Sequence, residues 1–204
     1  MIDSEQQNDI LRVVIERRSI RRYRPEAIAR SLIEHILTAA MWAPSAHNRQ
    51  PWRFAVVQGE QRLCLAQAMG TRLRHDLAAD GVDANVIEAD AARSYSRMTA
   101  APVLIVLCLS MVDMDHYPDE RRNRAEYLMA AQSTAMAGQN LLLVAHSVGL
   151  AACWMCAPLF CPEVVTDVLA LPEDWQPQAL ITLGYPAETR EKSRKPLESS
   201  VIWR

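Results

Sequence analysis

The sequence has no strong excess of charge of either sign, no internal repeats and no hydrophobic run long enough to cross a bilayer. Its 22 lysines and arginines against 24 acidic residues give a formal net charge of −2, which provides no global attraction to nucleic acid or to an anionic membrane. The longest apolar run, residues 100–109, is about half the length of a transmembrane helix. It predicts instead a strand that is covered on both faces.

The N-terminal region and the cysteines exclude further classes. Residues 1–20 contain acidic side chains and no apolar stretch of the signal-peptide kind, so no secretory signal is expected. Five cysteines among 204 residues do not suggest a disulfide framework, and the cytoplasm is the expected location. Cys153 and Cys156 form a C-x-x-C pair, but the sequence has no second such pair and no H-x3–5-H. Buried structural thiols are therefore favoured over a redox dithiol or a zinc site, and no metal is expected.

Hydrophobic periodicity and turn residues predict a mixture of helices and strands. Helices are expected over residues 9–16, from 31 to before 44, and over 60–79, 85–98, 120–148 and 162–169, and strands over 52–57, 102–109, 151–155 and 179–184. Ser31 is expected to cap the second helix, and Gly149 to end the fifth. Because the elements follow no regular βαβ rhythm, we expect an α+β fold in layers rather than a Rossmann sheet.

Two further patterns concern packing. The middle of the fifth predicted helix is rich in small residues, which either reflect helix propensity or allow close packing against a partner or a symmetry mate. These residues are Ala130, Ala131, Ser133, Thr134, Ala135, Ala137 and Gly138. The chain ends on the apolar residues Val201, Ile202 and Trp203, which predict a strand added to a sheet edge, either here or in another subunit.

Two basic clusters are suited to an anion. Five arginines lie within residues 17–24, around Ser19, and the segment Lys192-Ser193-Arg194-Lys195-Pro196 forms the second cluster. Guanidinium groups bind phosphate oxygens in pairs, and a serine hydroxyl adds a donor. Taken alone, the first cluster would also fit a solvated basic face or an RNA-binding arm, although Tyr23 is its only stacking aromatic. The second would fit a solvated tail, and together the two could clamp one phosphate.

A polar loop bracketed by Pro44 and Pro51 lies between a predicted helix and a predicted strand. Its Ser, Asn and Gln side chains offer donors and acceptors to a ligand with alternating carbonyls, amides and hydroxyls. By itself the segment would equally fit a structural turn.

The combination of these segments resembles the nitroreductase family. The resemblance rests on R-R-S-I-R from Arg17, A-P-S-A-H-N-R-Q-P-W-R-F from Ala43, the G-L-x-x-C-W segment from Gly149 and K-S-R-K-P from Lys192. It extends over about residues 10–196. Residues 130–184 are similar in particular to the nitroreductase-like domain attached to some coenzyme F420 glutamyl ligases.

The resemblance implies a fold and an assembly. It implies a single FMN-binding domain over residues 1–204 with a C-terminal arm from about residue 190. The implied fold is α+β and three-layered, with a central mixed or antiparallel sheet flanked by helices. It also implies an intertwined homodimer with C-terminal strand exchange and an FMN at each of two inter-subunit sites.

The resemblance also implies roles for individual residues. One subunit would hold the FMN phosphate and the ring edge, and its partner would contribute the polar loop. The backbone N–H in the segment of Cys156 and Ala157, just after G-L-x-x-C-W, would face flavin N5. The implied cofactor-binding residues are Arg17, Arg18, Ser19, Arg21, Pro44, Ser45, Ala46, Asn48, Gln50, Cys156, Ala157, Lys192 and Arg194. Two of them depart from the common pattern, because Ala46 stands in place of a second serine and Cys156 in place of an acid.

The implied activity is ping-pong electron transfer through the flavin from NAD(P)H to a nitroaromatic, a quinone or an enone. No catalytic acid or base is assigned, and His47 is interpreted as a surface-loop residue. Two other functions fit the same motifs, namely an F420-related flavin reductase or dehydrogenase and a flavin-binding module without turnover.

Overall fold

The computed structural model describes residues 4–204 and consists of six α-helices around one four-stranded sheet. The helices are α1 (Ser4–Glu16), α2 (Arg30–Ala40), α3 (Gly59–Ala79), α4 (Ala84–Thr99), α5 (Glu120–Ser147) and α6 (Pro162–Leu169). The strands are β1 (Trp52–Val57), β2 (Val103–Leu109), β3 (Ala151–Met155) and β4 (Gln176–Gly184). None of the helices within the described residues is both long and apolar enough to span a membrane.

The sheet is antiparallel throughout, in the order β1-β2-β4-β3. A parallel contact occurs at the outer edge of β3, where Ser19 forms an isolated bridge with Ala152. The expected α+β class is therefore confirmed, with the antiparallel rather than the mixed form of the sheet. Strand β2 lies in the middle and is buried along its whole length, as its continuous apolar sequence predicts.

Alternation along β2 divides the core into two halves. Val103 and Ile105 face a cluster that includes residues of α2 and α5, whereas Leu104 and Val106 face a cluster from α3, α4 and α6. Because successive side chains of a strand point to opposite faces, one sheet separates two helical layers. The predicted three-layer arrangement is confirmed.

Most predicted elements agree with the structure within a few residues. Strand β1 and helix α6 have the predicted bounds, and α5 ends next to Gly149, whose φ of 81° is the left-handed conformation that glycine favours after a helix. The predicted cap at Ser31 is wrong. The N-cap is Ala29, no side chain caps the helix, and Ser31 lies within the first turn.

The small residues of α5 have an explanation inside the chain. Ala130, Ser133, Ala137 and Gly138 are buried, and a Cβ at Gly138 would lie 2.3 Å from Cζ3 of Trp154 on β3. The helix therefore approaches the sheet too closely for larger side chains. Ala135, in contrast, is exposed.

The C-terminal segment contains a short 3-10 turn, Leu197–Ser199, and no strand. Ile202 and Trp203 are 79% and 86% exposed. A strand at the chain end is thus not formed within this chain, and its exchange between subunits stays a prediction.

Candidate functional site

The arginine-rich segment that follows α1 runs along the outer edge of β3. The backbone N–H of Ile20 donates to the Ala152 carbonyl over 3.3 Å, and that of Arg24 donates to the Tyr185 carbonyl over 2.9 Å. This segment forms no helix, because its backbone N–H groups donate hydrogen bonds to β3 and to the segment after β4 instead. Its side chains are consequently displayed beside β3.

Arg17 and Arg18 carry polar atoms without partners. The Nε atoms of both are buried and have no hydrogen-bond partner within the described residues. Burial lowers the pKa of Arg17, and the positive charges of Arg194 and Arg18 lower it further. A buried donor without an acceptor is unfavourable, so an oxyanion beside Arg17 would remove the strain. Arg18 is partly engaged elsewhere, because its Nη1 donates to the Arg17 carbonyl over 2.9 Å and to the Ile15 carbonyl.

These two arginines open into a cleft of about 320 Å³. Its walls come from the end of α1, the turn into β3 and the segment after β4. The lining residues are Glu16, Arg17, Arg18, Ile20, His146, Gly149, Leu150, Ala151, Ala152, Pro186, Glu188, Thr189 and Arg190. The cleft therefore combines an apolar wall with guanidinium groups, which suits a ligand with both a ring and an anionic group.

Glu188 is the carboxylate that orders this cleft. It accepts hydrogen bonds from Nε and Nη2 of Arg190 over 2.9 and 3.0 Å and from the Arg21 backbone N–H over 2.9 Å. The Arg190 hydrogen bonds, supported by the Arg21 N–H, lower the pKa of Glu188 to about 2. The sequence did not predict Glu188 or Arg190 as a site residue, because nothing in the composition of the C-terminal segment distinguishes them.

The Cys153 thiol lies within electrostatic range of several guanidinium groups. Burial raises the pKa of this thiol, while the positive charges of Arg21, Arg97 and Arg17 oppose the rise. Arg97 lies on α4 and was not predicted as a site residue. The available signal was Arg93 and Arg97 at a spacing of four, which places both on one face of a helix.

Cys156 corrects the prediction of buried thiols. Cys153 is buried, but Cys156 is exposed, and its sulfur accepts a hydrogen bond from Nε1 of Trp154 over 3.1 Å. The strand ends at Met155, so Cys156 lies outside the sheet, and Ala157 begins the 3-10 turn Ala157–Phe160. Within residues 4–204 no group of three or more His, Cys, Asp or Glu residues is arranged to hold a metal ion.

The loop between the two prolines has an unusual backbone. His47, Asn48 and Gln50 have φ values of 49°, 55° and 51°, a left-handed conformation that side chains other than glycine seldom adopt. Such a backbone persists only where surrounding contacts enforce it, and it concentrates at functional sites. His47 is exposed, as expected of a surface-loop residue.

Hydrogen bonds hold this loop in place. The Ser45 hydroxyl accepts from the Gln50 N–H over 3.1 Å, the Ala46 N–H donates to the Ser133 hydroxyl over 3.4 Å, and Arg49 pairs with Asp115 over 2.6 Å. Pro44, Asn48 and Gln50 remain exposed. The loop thus presents its polar groups outward from a fixed frame.

The structure does not bring all the predicted site residues together in one chain. The loop leads into β1 and the arginines lie against β3, which form opposite edges of the sheet, about 14 Å apart at typical strand spacing. The cleft of Arg17 and Arg18 includes no residue of the loop. In the C-terminal segment, the positive charge of Arg194 acts on Arg17 and lowers its pKa. Lys192 is exposed.

Comparison with known proteins finds a family and several relatives that this chain is similar to. The model of the Nitroreductase family matches residues 14–185. A Thermus thermophilus protein named NADH dehydrogenase is 33% identical over 221 aligned positions, which cover 96% of this chain and 96% of that protein.

Solved structures give the same relationship. A nitroreductase-type protein of Desulfovibrio desulfuricans, crystallised in complex with FMN, is 28% identical with a TM-score of 0.75 and 96% coverage of each chain. An FMN-dependent nitroreductase of Mycobacterium smegmatis, solved with NADPH, shares the fold at 21% identity, with a TM-score of 0.75 over 99% of this chain and 100% of that one.

Proposed function

The chain belongs to the nitroreductase family, and from this we propose that it is an FMN-dependent NAD(P)H oxidoreductase that works as a homodimer. The observation that carries the proposal is the pair of buried guanidinium Nε atoms without acceptors at Arg17 and Arg18. They belong to the segment that, by resemblance to the family, would hold the phosphate of FMN.

The residues beside β3 fit the phosphate of the cofactor. Arg17 has a free buried donor, Arg194 adds a second positive charge next to it, and Ser19 bridges to β3 between Arg18 and Ile20. Guanidinium–phosphate contacts are charge-assisted and geometrically specific. We assign the phosphate to Arg17, Ser19 and Arg194, with Arg18 and Lys192 at its margin. The Desulfovibrio relative was crystallised with FMN, which supports this cofactor here.

The polar loop supplies the second half of the site from the partner subunit. Within one chain the loop and the arginines occupy opposite sheet edges, and a two-fold axis would bring the loop of one subunit to the arginines of the other. Pro44, Ser45, Ala46, Asn48 and Gln50 then contact the flavin across the interface.

The chemistry that FMN would supply when bound is electron transfer between NAD(P)H and a nitroaromatic, quinone or enone acceptor in ping-pong order. The protein's own part is placement and charge. The positive charge of Arg21 acts on the Cys153 thiol, and at the ring edge it would favour electron uptake by the flavin. Cys156 and Ala157, at the open end of β3, orient the ring through the backbone, and no side chain is needed as acid or base.

The assembly and the domain complete the proposal. Residues 4–185 contain the sheet and the helices around it. The C-terminal segment, from about residue 190, forms an arm. Its exposed Ile202 and Trp203 would be buried by crossing to the partner subunit, where β1 has a neighbour on one side alone within the described residues.

The test is a spectrum followed by an assay. The purified protein should be yellow and bind one FMN per subunit, and NADH or NADPH should bleach the flavin, with reoxidation by a quinone such as menadione. Arg17→Ala with Ser19→Ala should be colourless but folded, since the charge-assisted phosphate contacts are worth a few kcal/mol.

A matched control is Arg121→Ala with Ser147→Ala, which removes the same two side-chain types from exposed positions of α5. A double variant at Arg17 and Ser19 that keeps its full FMN complement would contradict the phosphate assignment. Flavin that binds but is reduced by no donor would instead identify a flavin-binding module.

A further inference from the structure

A second arginine-rich cleft lies next to the proposed phosphate site. It measures about 240 Å³ and is lined by Arg21, Arg22, Arg93, Ser96, Arg97 and Arg190. Five of its six lining residues are arginines, drawn from three parts of the chain. Folding therefore gathers positive charge that the sequence distributes widely.

The carboxylates at this cleft do not balance its charge. Arg190 pairs with Glu188 over 2.9 Å and Arg93 with Asp90 over 2.5 Å. Among the described residues, Arg21, Arg22 and Arg97 form no ion pair, although the charge of Arg22 also acts on the Glu188 carboxylate. Two carboxylates therefore face five guanidinium groups. The remaining like charges repel each other, so the folded protein gains by binding an anion at this place.

The FMN phosphate does not account for the surplus. That phosphate is assigned to Arg17 and Arg194, and Arg17 lines the other cleft, whereas the ring edge needs the single positive charge of Arg21. The two clefts share Arg190, and Arg97 and Arg17 both act on Cys153. The unbalanced arginines thus lie beside the flavin site but exceed what the cofactor requires.

We propose that Arg22 and Arg97, together with Arg93, which pairs with Asp90 through Nη2 alone, bind the carboxylate or phosphate of an anionic substrate that exchanges electrons with the flavin. This inference rests on the proposed function and narrows its substrate class. Arg22 and Arg93 are exposed and Arg97 is half-buried, so a ligand can reach all three. The planar guanidinium group binds an oxyanion through two parallel hydrogen bonds, which distinguishes a charged substrate from a neutral one of equal size.

The test compares matched acceptors on the FMN-loaded dimer. 4-Nitrobenzoate and 4-nitrobenzyl alcohol differ mainly in charge, and KM and kcat for both are measured in wild type and in Arg93→Gln with Arg97→Gln. The KM for 4-nitrobenzoate should rise at least tenfold and the KM for 4-nitrobenzyl alcohol less than twofold, with FMN content and absorbance unchanged. Raising the salt concentration should weaken the use of 4-nitrobenzoate alone.

Arg74→Gln is a control for the loss of an arginine outside the cleft. Arg74 lies on α3, pairs with Glu88 of α4 over 2.8 Å and lines neither arginine-rich cleft. Its replacement removes one positive charge from the contact between α3 and α4. The ratio of the KM for 4-nitrobenzoate to the KM for 4-nitrobenzyl alcohol should stay as in wild type.

A parallel measurement locates the oxyanion and does not depend on turnover. Benzoate should bind the flavin-loaded protein at least tenfold more tightly than benzyl alcohol, monitored by the flavin absorbance, and the double variant should remove the difference. If the variant raises the KM for NADPH but not the KM for NADH or for 4-nitrobenzoate, the oxyanion belongs to the donor. The assignment of the cleft as an anion site then stands.

Equal rises in KM with both acceptors, or no change in the KM of either acceptor or of NADPH, would overturn the inference. An enzyme inactive with every donor would refute the proposed function, while the benzoate measurement would still decide the cleft.

Discussion

Gly138 lies where α5 passes over Trp154 and Leu107. A Cβ there would approach Cζ3 of Trp154 to 2.3 Å and Cδ2 of Leu107 to 2.9 Å. Gly138→Ala gains about 1 kcal/mol of helix propensity but overpacks the core by roughly 1–3 kcal/mol. We expect a net loss of roughly 0–2 kcal/mol in the free energy of unfolding, measured by urea denaturation.

Gly70 provides the matched control for that substitution. It lies within α3, and the nearest atom to a Cβ there is Nη1 of Arg74 at 3.5 Å, an ordinary contact. Gly70→Ala should therefore stabilise the protein by roughly 0.5–1 kcal/mol. Stabilisation by both substitutions would show that α5 does not need a glycine to approach the sheet.

Glu188 links the stability of the site to pH. Its pKa falls from 4.5 to about 2 in the folded protein, first because of the Arg190 hydrogen bonds and also because of the Arg21 N–H. A depressed folded-state pKa contributes stability above the unfolded-state value, and the contribution is lost as the pH falls through the folded-state value.

Glu188→Gln should lower the free energy of unfolding by about 1 kcal/mol at pH 7. The difference from wild type should shrink between pH 5 and pH 2. Urea titrations of both proteins at equal concentration would measure it, and a difference that does not vary with pH would exclude the carboxylate as its source.

At the scale of elements, local sequence determined most of what could be predicted. The apolar run of β2 and the glycine after α5 act through contacts a few residues away, and their elements were predicted closely. Ser31 failed because a serine near a helix start fits several positions of the first turn, and the backbone at Ala29 decided the boundary.

Residues missed at the site share a different cause. Arg93 and Arg97 of α4 line the same cleft as Arg21, and Glu188 accepts a hydrogen bond from the Arg21 N–H across 167 positions of sequence. Neither contact leaves a local pattern. Arg17 and Arg18, which we propose at the phosphate, could be selected from the sequence because residues 17–24 contain five arginines.

The C-terminal arm is the element whose role depends most on a partner. Leu197, Ile202 and Trp203 are 63%, 79% and 86% exposed, and burying each fully would contribute roughly 1.5–3 kcal/mol. A chain ending at Pro196 keeps Lys192 and Arg194 but should dissociate at a concentration at least 100-fold higher, as measured by sedimentation.

Its control is the full-length chain with Glu198→Gln and Arg204→Gln, which changes the charges of the arm and keeps its apolar residues. The circular dichroism of all three proteins should agree. Dimers of unchanged affinity after the truncation would rule out an arm that crosses to the partner.

At the scale of the whole molecule, the loop and the arginines lie on opposite sheet edges, so the proposed site requires a dimer. Two damaged subunits should therefore repair each other. One carries Arg17→Ala with Ser19→Ala, and the other Ser45→Ala with Asn48→Gly, where glycine accepts the φ of 55° at position 48. Each homodimer alone should bind little FMN.

In a heterodimer purified through two different tags, one site combines both damaged halves, and the other combines the intact arginines of one subunit with the intact loop of its partner. It should bind about one FMN, half of the wild-type dimer's content, and regain NADH oxidation in the same proportion. If each site were built from a single chain, every site in the heterodimer would carry one damaged half, and no flavin would be recovered. The flavin content of that one species thus distinguishes a shared site from two independent ones.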